Sequence, residues 1–163
     1  GFMGCGKTFW GRRLGELHAM PWIDLDQHLS KQEGRSIDDI FTTKGEAYFR
    51  QKEAEHLQAL VAAYPSLILS TGGGTPCFHD LMAFMNENGI TIYLKASVDY
   101  LYNRLLNDDT ARPLLKEHDQ AGLRTFIQQR LSEREAVYAK AQYVIDIESA
   151  DLATFDPIFK SHV

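Results

Sequence analysis

The sequence has few cysteines and no long apolar run, and each shortage excludes a class of protein. Its 163 residues include only 2 cysteines, Cys5 and Cys77, which are too few for a disulfide framework or a zinc site. This cysteine usage fits a reducing cytoplasm. No apolar run approaches the roughly 18 residues that a membrane span needs, and no signal peptide is visible. We therefore expect no membrane partner.

Basic residues are also in short supply. Lys and Arg total 17 against 22 Asp and Glu, for a net charge of −5. A general nucleic-acid binder should carry a dominant basic surface, so we expect no nucleic-acid partner. The 6 histidines are scattered without the spacing of metal ligands. The length suits a single domain over residues 1–163, which we expect to act as a monomer.

Helix and strand patterns alternate along the chain. We predict helices over residues 8–19, 26–33, 36–41, 45–64, 78–85, 97–106, 123–141 and 152–160, and strands over residues 21–24, 67–70, 90–94 and 143–147. Strands separated by helices indicate βαβ units, and therefore an α/β fold with a parallel sheet flanked by helices. A long polar stretch over residues 107–122 fits neither pattern and is predicted to be an active-site lid.

The first eight residues read Gly-Phe-Met-Gly-Cys-Gly-Lys-Thr and match the pattern of a phosphate-binding loop. Glycines let successive backbone N–H groups point at a phosphate, and the following helix adds its positive end. In this pattern Lys7 reaches the β- and γ-phosphates of a nucleotide and Thr8 holds Mg²⁺. The alternative is a chance glycine turn before an ordinary helix. Because such a loop follows a strand, we expect a short apolar strand upstream of Gly1.

Two carboxylates leave the strand over residues 21–24, in the sequence Asp24-Leu25-Asp26. Ligands of open α/β sheets bind beyond the carboxyl ends of the strands. One carboxylate near Thr8 could therefore help to hold Mg²⁺. The other could accept a hydrogen bond, and the proton, from a substrate hydroxyl. The alternative is that Asp26 only caps the next helix.

Three consecutive glycines, Gly72, Gly73 and Gly74, follow the strand over residues 67–70. They cost chain entropy that a simple turn rarely requires. Close approach of the backbone to a bound ligand explains them better. A flexible turn before Pro76 is the alternative.

Three arginines are candidate anion-binding residues. Arg50 and Arg134 lie in helical patterns, and each could instead be a surface residue, Arg50 paired with Glu46 or Glu53. Arg112 lies in the predicted lid, where an arginine can close on a phosphate and stabilise charge during its transfer.

Together these motifs resemble the shikimate kinase family. The pattern extends from Gly1 to about Tyr143 and adds to the features above Gly34-Arg35-Ser36-Ile37, Ile40-Phe41, Gly45-Glu46, Phe49, Pro113-Leu114-Leu115 and Tyr138. Many NTPases share the phosphate loop. The Asp-x-Asp pair, the Phe-Arg pair and the glycine triplet together are much more specific.

The resemblance implies a P-loop NTPase fold of the nucleoside-monophosphate-kinase type. It also implies phosphorylation of the 3-hydroxyl of shikimate by ATP and Mg²⁺, in chorismate and aromatic amino-acid biosynthesis. The implied catalytic residues are Lys7, Asp26 and Arg112. The implied metal ligands are Thr8 and, through water, Asp24.

The implied nucleotide-binding residues are Gly4, Cys5, Gly6, Lys7, Thr8, Phe9 and Arg112. The implied shikimate-binding residues are Asp26, Arg50, Gly72, Gly73, Gly74 and Arg134, with Arg50 and Arg134 holding the carboxylate. A guanidinium suits that task because its donors form a planar fork.

The chain departs from the family pattern at a few positions. Phe9 stands where a second small hydroxyl residue is common, which puts an additional phosphate contact there in doubt. Ala136 replaces a usual proline, a change that we expect to be mild. Residues 147–151 lack the basic residue that some members use near adenine, so adenine contacts are not assigned.

Two other functions remain open. A related small-molecule kinase, such as a gluconate kinase, would share the loop and the lid but would not require Asp26 with the two arginines. The other is a nucleotide-binding regulatory module without phosphoryl transfer, and the presence together of Lys7, Thr8, Asp24, Asp26 and Arg112 argues against it.

Overall fold

A computed structural model describes residues 1–107 and 119–162. The chain divides into two compact units, one formed by residues 7–89 and the other by residues 1–6 together with residues 90 onward. The single domain over residues 1–163 stays a prediction. In the part of the chain that the structure describes, no helix combines the length and the apolar character needed to cross a bilayer.

The unit of residues 7–89 alternates helices with two short strands. Its elements are α1 (Lys7–His18), β1 (Trp22–Asp24), α2 (Leu25–Glu33), α3 (Ile37–Ala63), β2 (Ile68–Ser70), a 3₁₀ turn (Thr75–Cys77) and α4 (Leu81–Asn88). Strands β1 and β2 pair in parallel, with Asp24 opposite Ser70. The carboxyl ends of both strands, which carry the Asp pair and the glycine triplet, therefore lie at the same edge.

Local signals set the boundaries of α2 and α3. Gly34 adopts the left-handed conformation, with φ 65°, and its N–H donates to the carbonyl of Ser30 at the end of α2. Ser36 caps α3, because its hydroxyl accepts a hydrogen bond from the N–H of Asp39 at 3.1 Å. Both boundaries agree with the helices predicted over residues 26–33 and 36–41. Helix α3 also continues across a kink at Gly45, where φ is 82°.

Two apolar clusters hold α2 and α3 in place. Leu25, Leu57, Leu60 and Leu81 form one buried cluster, and Leu29, Ile40 and Phe49 form the other. Each cluster joins residues of α2 and α3, so burial of apolar surface keeps the two helices together. These helices carry the candidate site residues Asp26 and Arg50.

The unit of residues 1–6 and 90 onward has the same alternation. Its elements are β3 (Ile92–Lys95), α5 (Val98–Leu106), α6 (Gln120–Tyr138), β4 (Tyr143–Asp146), a 3₁₀ turn (Leu152–Phe155) and α7 (Asp156–His162). Strands β3 and β4 pair in parallel from Ile92 opposite Tyr143 to Lys95 opposite Asp146. Among the described residues the strands thus form two parallel pairs, as the α/β pattern predicted, although not one continuous sheet.

Helices α6 and α4 each begin three residues away from the predicted start. Helix α6 begins at Gln120 instead of Leu123, because the Asp119 carboxylate accepts the N–H of Gly122 at 2.7 Å and caps the helix. The end of the predicted lid is therefore helical. Helix α4 begins at Leu81 instead of Phe78, because His79 and Asp80 have φ values of 52° and 53°, which no α-helix accommodates.

Candidate active site

The phosphate-loop sequence adopts backbone conformations that require its glycines. Gly4 and Gly6 have φ values of 80° and 90°, in the region where a side chain is strained. The N–H of Cys5 donates to the carbonyl of Phe2 at 3.3 Å, which closes a turn. Helix α1 begins at Lys7, directly after Gly6. Two glycines with positive φ directly before a helix are the backbone geometry that the phosphate-loop prediction requires.

Thr8 and Asp24 form a candidate magnesium site. The Thr8 hydroxyl donates to Asp24 Oδ2 at 2.7 Å, and the second oxygen, Oδ1, accepts the N–H of Gln27 at 3.2 Å. The hydroxyl and the carboxylate are hard oxygen donors, and Mg²⁺ is usually held by one or two protein oxygens together with water and phosphate. The two residues therefore fit this ion. Asp24 is also the N-cap of α2, so the alternative that Asp26 is the cap is wrong.

Ser70 connects the strand end to the start of α1. Its hydroxyl donates to the Lys7 carbonyl at 2.9 Å and accepts the indole N–H of Trp22 at 3.0 Å. Ser70 is buried, so these bonds are shielded from water. This network fixes the backbone of Lys7 relative to β1 and β2.

Asp26 is a half-buried carboxyl in the first turn of α2. Its pKa is raised from 3.8 to about 6, first by burial and then by the negative charges of Glu53 and Asp24. The positive charges of Lys7 and Arg50 lower the pKa and oppose these effects. A carboxyl with a pKa near 6 is ionised at neutral pH and is a better proton acceptor than an ordinary one.

Arg50 is held in a buried network instead of lying on a surface. Only 8% of the residue is exposed. It donates to Glu53 Oε2 at 2.8 Å and to Glu46 Oε1 at 3.3 Å. The guanidinium carbon lies 4.3 Å from the ring centre of Phe78. Both pairs that the surface interpretation proposed exist, but the Glu53 side chain is buried, whereas that of Glu46 is 56% exposed.

The glycine triplet lies against these side chains. A side chain at Gly72 would place its first carbon 3.2 Å from Asp26 Oδ1 and 3.0 Å from Glu53 Oε1, and one at Gly74 would collide with the Arg50 guanidinium. Two of the three glycines are therefore needed for close approach to the protein's own charged groups. The flexible-turn interpretation does not account for this packing.

Glu53 and Thr75 are two buried polar residues that the sequence interpretation did not assign to the site. Both are 0% exposed, and the Thr75 hydroxyl donates to Glu53 Oε1 at 2.5 Å. The spacing of three residues between Arg50 and Glu53 indicated a pair. No signal in the sequence indicated that the pair would be buried or that Thr75 would reach it.

The described geometry does not test the roles of the other predicted site residues. Arg134 is partly exposed on α6, in the unit that includes residues 90 onward. Arg112 lies outside the described residues. Phe9 is 50% exposed. Its side chain is a phenyl ring, which has no hydroxyl to offer a phosphate. The roles of Arg134, Arg112 and Gly73 stay predictions.

Comparison with known proteins gives one consistent result. The shikimate kinase family model matches residues 3–160. A shikimate kinase of Azobacteroides pseudotrichonymphae is 39% identical over 148 residues, which are 91% of this chain and 87% of the relative.

Solved structures agree. The shikimate kinase of Bacteroides thetaiotaomicron superposes with a TM-score of 0.88 at 34% identity, over 98% of this chain and 91% of that one. A shikimate kinase of Acinetobacter baumannii, solved in complex with shikimate, has a TM-score of 0.81 at 31% identity, over 99% of this chain and 87% of that one. The predicted P-loop NTPase fold is thereby confirmed. Because the family model matches residues 3–160 and a 39% identical relative aligns over 91% of this chain, this chain belongs to the shikimate kinase family.

Proposed function

We propose that Asp26, Arg50 and the glycine triplet bind the acceptor in the reaction that family membership assigns to this chain. That reaction is the transfer of the γ-phosphoryl group of ATP to the 3-hydroxyl of shikimate, a step of aromatic amino-acid biosynthesis. The single observation that carries the residue assignment is the approach of the Asp26 carboxylate and the Arg50 guanidinium to Gly72 and Gly74.

The two charged groups suit the two ends of this substrate. Arg50 offers a guanidinium fork to the shikimate carboxylate, a charge-assisted and geometrically specific contact. Asp26 accepts a hydrogen bond from the ring hydroxyl that reacts. The backbone of the triplet, which has no side chains, allows the ring to approach closely.

On the nucleotide side, the residues of the phosphate loop hold the triphosphate. The backbone donors of Gly4 and Gly6 face the phosphates, while the Cys5 N–H closes the turn that shapes the loop. Lys7 neutralises charge on the transferring group. Thr8 and Asp24 hold Mg²⁺, which would screen the phosphate charges when bound. Arg112 is proposed to add positive charge at the same stage.

In the transfer itself, the substrate oxygen forms a bond to the γ-phosphorus, and the bond from that phosphorus to the β–γ bridging oxygen breaks. The electron pair of the broken bond leaves with ADP, and the hydroxyl proton passes to Asp26. Because this chemistry needs little covalent help, positioning and electrostatic stabilisation supply most of the catalysis.

A coupled ADP-release assay tests the function. With the purified protein, ATP and Mg²⁺, we expect turnover that depends on shikimate and is absent with gluconate. Turnover with gluconate and none with shikimate would instead favour a related small-molecule kinase. ATP binding without turnover of either acceptor would favour the regulatory module.

Replacement of Arg134 by Ala tests the second arginine. If Arg134 shares the shikimate carboxylate with Arg50, the KM for shikimate should rise by about 10- to 100-fold, the loss expected for one charge-assisted hydrogen bond. The KM for ATP should change by less than about twofold. Steady-state kinetics with each substrate varied in turn measure both values.

The control is Arg130→Ala on the same helix. Arg130 pairs with Glu133 at 3.2 Å on an exposed face, and exposed pairs contribute little. We expect no change in either KM. Equal losses for shikimate and ATP in Arg134→Ala would mean that this residue does not bind the carboxylate.

We also propose that the protein is monomeric and cytoplasmic. The presence of both the nucleotide and the acceptor motifs in one chain supports the first proposal, and the two isolated cysteines support the second. Sedimentation velocity tests the first against the 18.5 kDa mass of a single chain.

A further inference from the structure

Thr75 occupies a buried position directly after the glycine triplet. It is the first residue of the 3₁₀ turn Thr75–Cys77 and is 0% exposed. Its N–H donates to the Gly72 carbonyl at 3.3 Å, and its hydroxyl donates to Glu53 Oε1 at 2.5 Å. One residue therefore bonds both to the triplet and to α3.

Glu53 divides its two carboxylate oxygens between Thr75 and Arg50. Oε1 accepts the Thr75 hydroxyl, and Oε2 accepts Arg50 Nη1 at 2.8 Å. A carboxylate without solvent contact is stable only when its oxygens have donors. With Oε1 held by Thr75, the plane of the carboxylate is set, and the plane in turn sets the direction from which it receives the guanidinium.

We propose that Thr75 is a positioning residue for the acceptor site: its hydroxyl holds Glu53 so that the Arg50 guanidinium is presented to the substrate carboxylate. This inference rests on the proposed role of Arg50. Thr75 touches neither the substrate nor the reacting atoms in this scheme, and it acts through Glu53.

The Thr75 hydroxyl and Glu53 Oε1 both lie close to Gly72. A first side-chain carbon at Gly72 would lie 3.0 Å from both Glu53 Oε1 and Thr75 Oγ1. Without the hydroxyl, Glu53 Oε1 loses its donor. Because a buried acceptor without a donor is unfavourable, the carboxylate is expected to rotate towards another donor. Arg50 already donates to the other oxygen of this carboxylate, so the guanidinium becomes more fully engaged by Glu53 and less available to a substrate.

The test compares two pairs of variants that differ only by the hydroxyl: Thr against Val, and Ser against Ala, at position 75. We expect Thr75→Val and Thr75→Ala to raise the KM for shikimate about tenfold. Thr75→Ser should stay within about threefold of the parent, because it keeps the donor. The KM for ATP should stay within about twofold in all three.

A purely structural role would not produce this split. A partly unfolded sample lowers the apparent kcat, whereas KM does not depend on the fraction of active protein. Thr125→Val is the matched control, because its hydroxyl donates to the Ala121 carbonyl of its own helix, at 3.1 Å, in an exposed position. We expect both KM values of the control to be unchanged.

A double-mutant cycle with Arg50→Lys tests the route of the effect. A lysine lacks the fork that Glu53 orients, so the cost of Thr75→Val should fall from about tenfold to less than about threefold in this background. The same tenfold cost in both backgrounds would overturn the proposal. So would equal losses in Thr75→Ser and Thr75→Ala, or an unchanged shikimate KM in Thr75→Val.

Turnover of shikimate by the parent protein distinguishes failure of the proposed function from failure of the positioning role of Thr75. If it does not turn over shikimate, the proposed function fails before Thr75 is tested. If it turns over shikimate and the variants at position 75 behave like the parent, only the positioning role fails.

Discussion

Asp26→Asn is expected to lower kcat with shikimate by about 10²- to 10⁴-fold, the usual contribution of a positioned proton acceptor. The amide keeps the size of the carboxyl but does not accept a proton. Because Asp26 is not assigned to the nucleotide, the KM for ATP should stay within about twofold. The coupled ADP-release assay measures both values.

The pH dependence of the parent protein follows from the same group. The pKa of Asp26 is raised to about 6, so protonation below that pH removes the acceptor. We expect kcat/KM for shikimate to fall as the pH drops through about 6. A profile that is flat down to pH 5 would contradict the role of Asp26 as proton acceptor.

Asp26→Asn should also stabilise the fold at neutral pH. The folded-state pKa of Asp26 lies above the ordinary value of 3.8, so the folded protein favours the neutral form of this group. The stability that protonated Asp26 contributes to the fold is fully present below the unfolded-state pKa and is lost as the pH rises through about 6. Asn is neutral throughout, so Asp26→Asn should gain about 1–3 kcal/mol of unfolding free energy at pH 8 and almost nothing at pH 3.5.

Denaturant unfolding at the two pH values measures this gain. Asp80→Asn is the matched control: Asp80 is exposed and has φ 53°, a conformation that Asn also adopts readily. It should change stability little at either pH. A loss of stability in Asp26→Asn at pH 8 would show that the carboxylate is well satisfied in the folded state.

Arg50→Met is expected to be the most destabilising single change at the site. It leaves Glu53, which is fully buried, without its cation. Breaking a buried ion pair on one side costs about 3–5 kcal/mol. The variant also loses the guanidinium contacts with Phe78 and Phe49, at 4.3 and 4.9 Å from the ring centres. Urea unfolding measures the loss, and the shikimate KM should rise by at least about tenfold.

A second substitution distinguishes the cost of the unpaired charge from that of lost packing. In Arg50→Met with Glu53→Gln, the buried group is neutral and Thr75 can still donate to it, so stability should return to within about 1–2 kcal/mol of the parent. Use of shikimate should not return. If the double variant is as unstable as Arg50→Met, the aromatic packing of Arg50 is the main contribution.

Arg12→Met provides the control for removal of an arginine. Arg12 pairs with Glu16 at 3.8 Å on α1, and both side chains are more than 60% exposed. Exposed pairs of this spacing contribute about 0.5 kcal/mol or less. A loss above about 1 kcal/mol here would mean that the method overstates the loss in Arg50→Met.

Features that depend on neighbouring residues were predictable from the sequence. The caps at Gly34 and Ser36, the left-handed glycines of the phosphate loop and the parallel pairing of strands all follow from short patterns with a local physical cause. The predicted start of the helix over residues 78–85 is wrong because the left-handed conformations of His79 and Asp80 have no strong local signal.

The site divides along the same line. By itself, the sequence determined which residue types stand at each strand end, and the order of these motifs identified the family. The tertiary structure decided which of them are buried. It covers the face of α3 that carries Arg50 and Glu53 and brings Thr75 to the buried carboxylate. It also buries Asp26 beside the negative charges of Glu53 and Asp24, and this burial, followed by the two charges, raises the pKa of Asp26. Burial and electrostatic coupling depend on residues distant in the sequence, and therefore no local pattern encodes them.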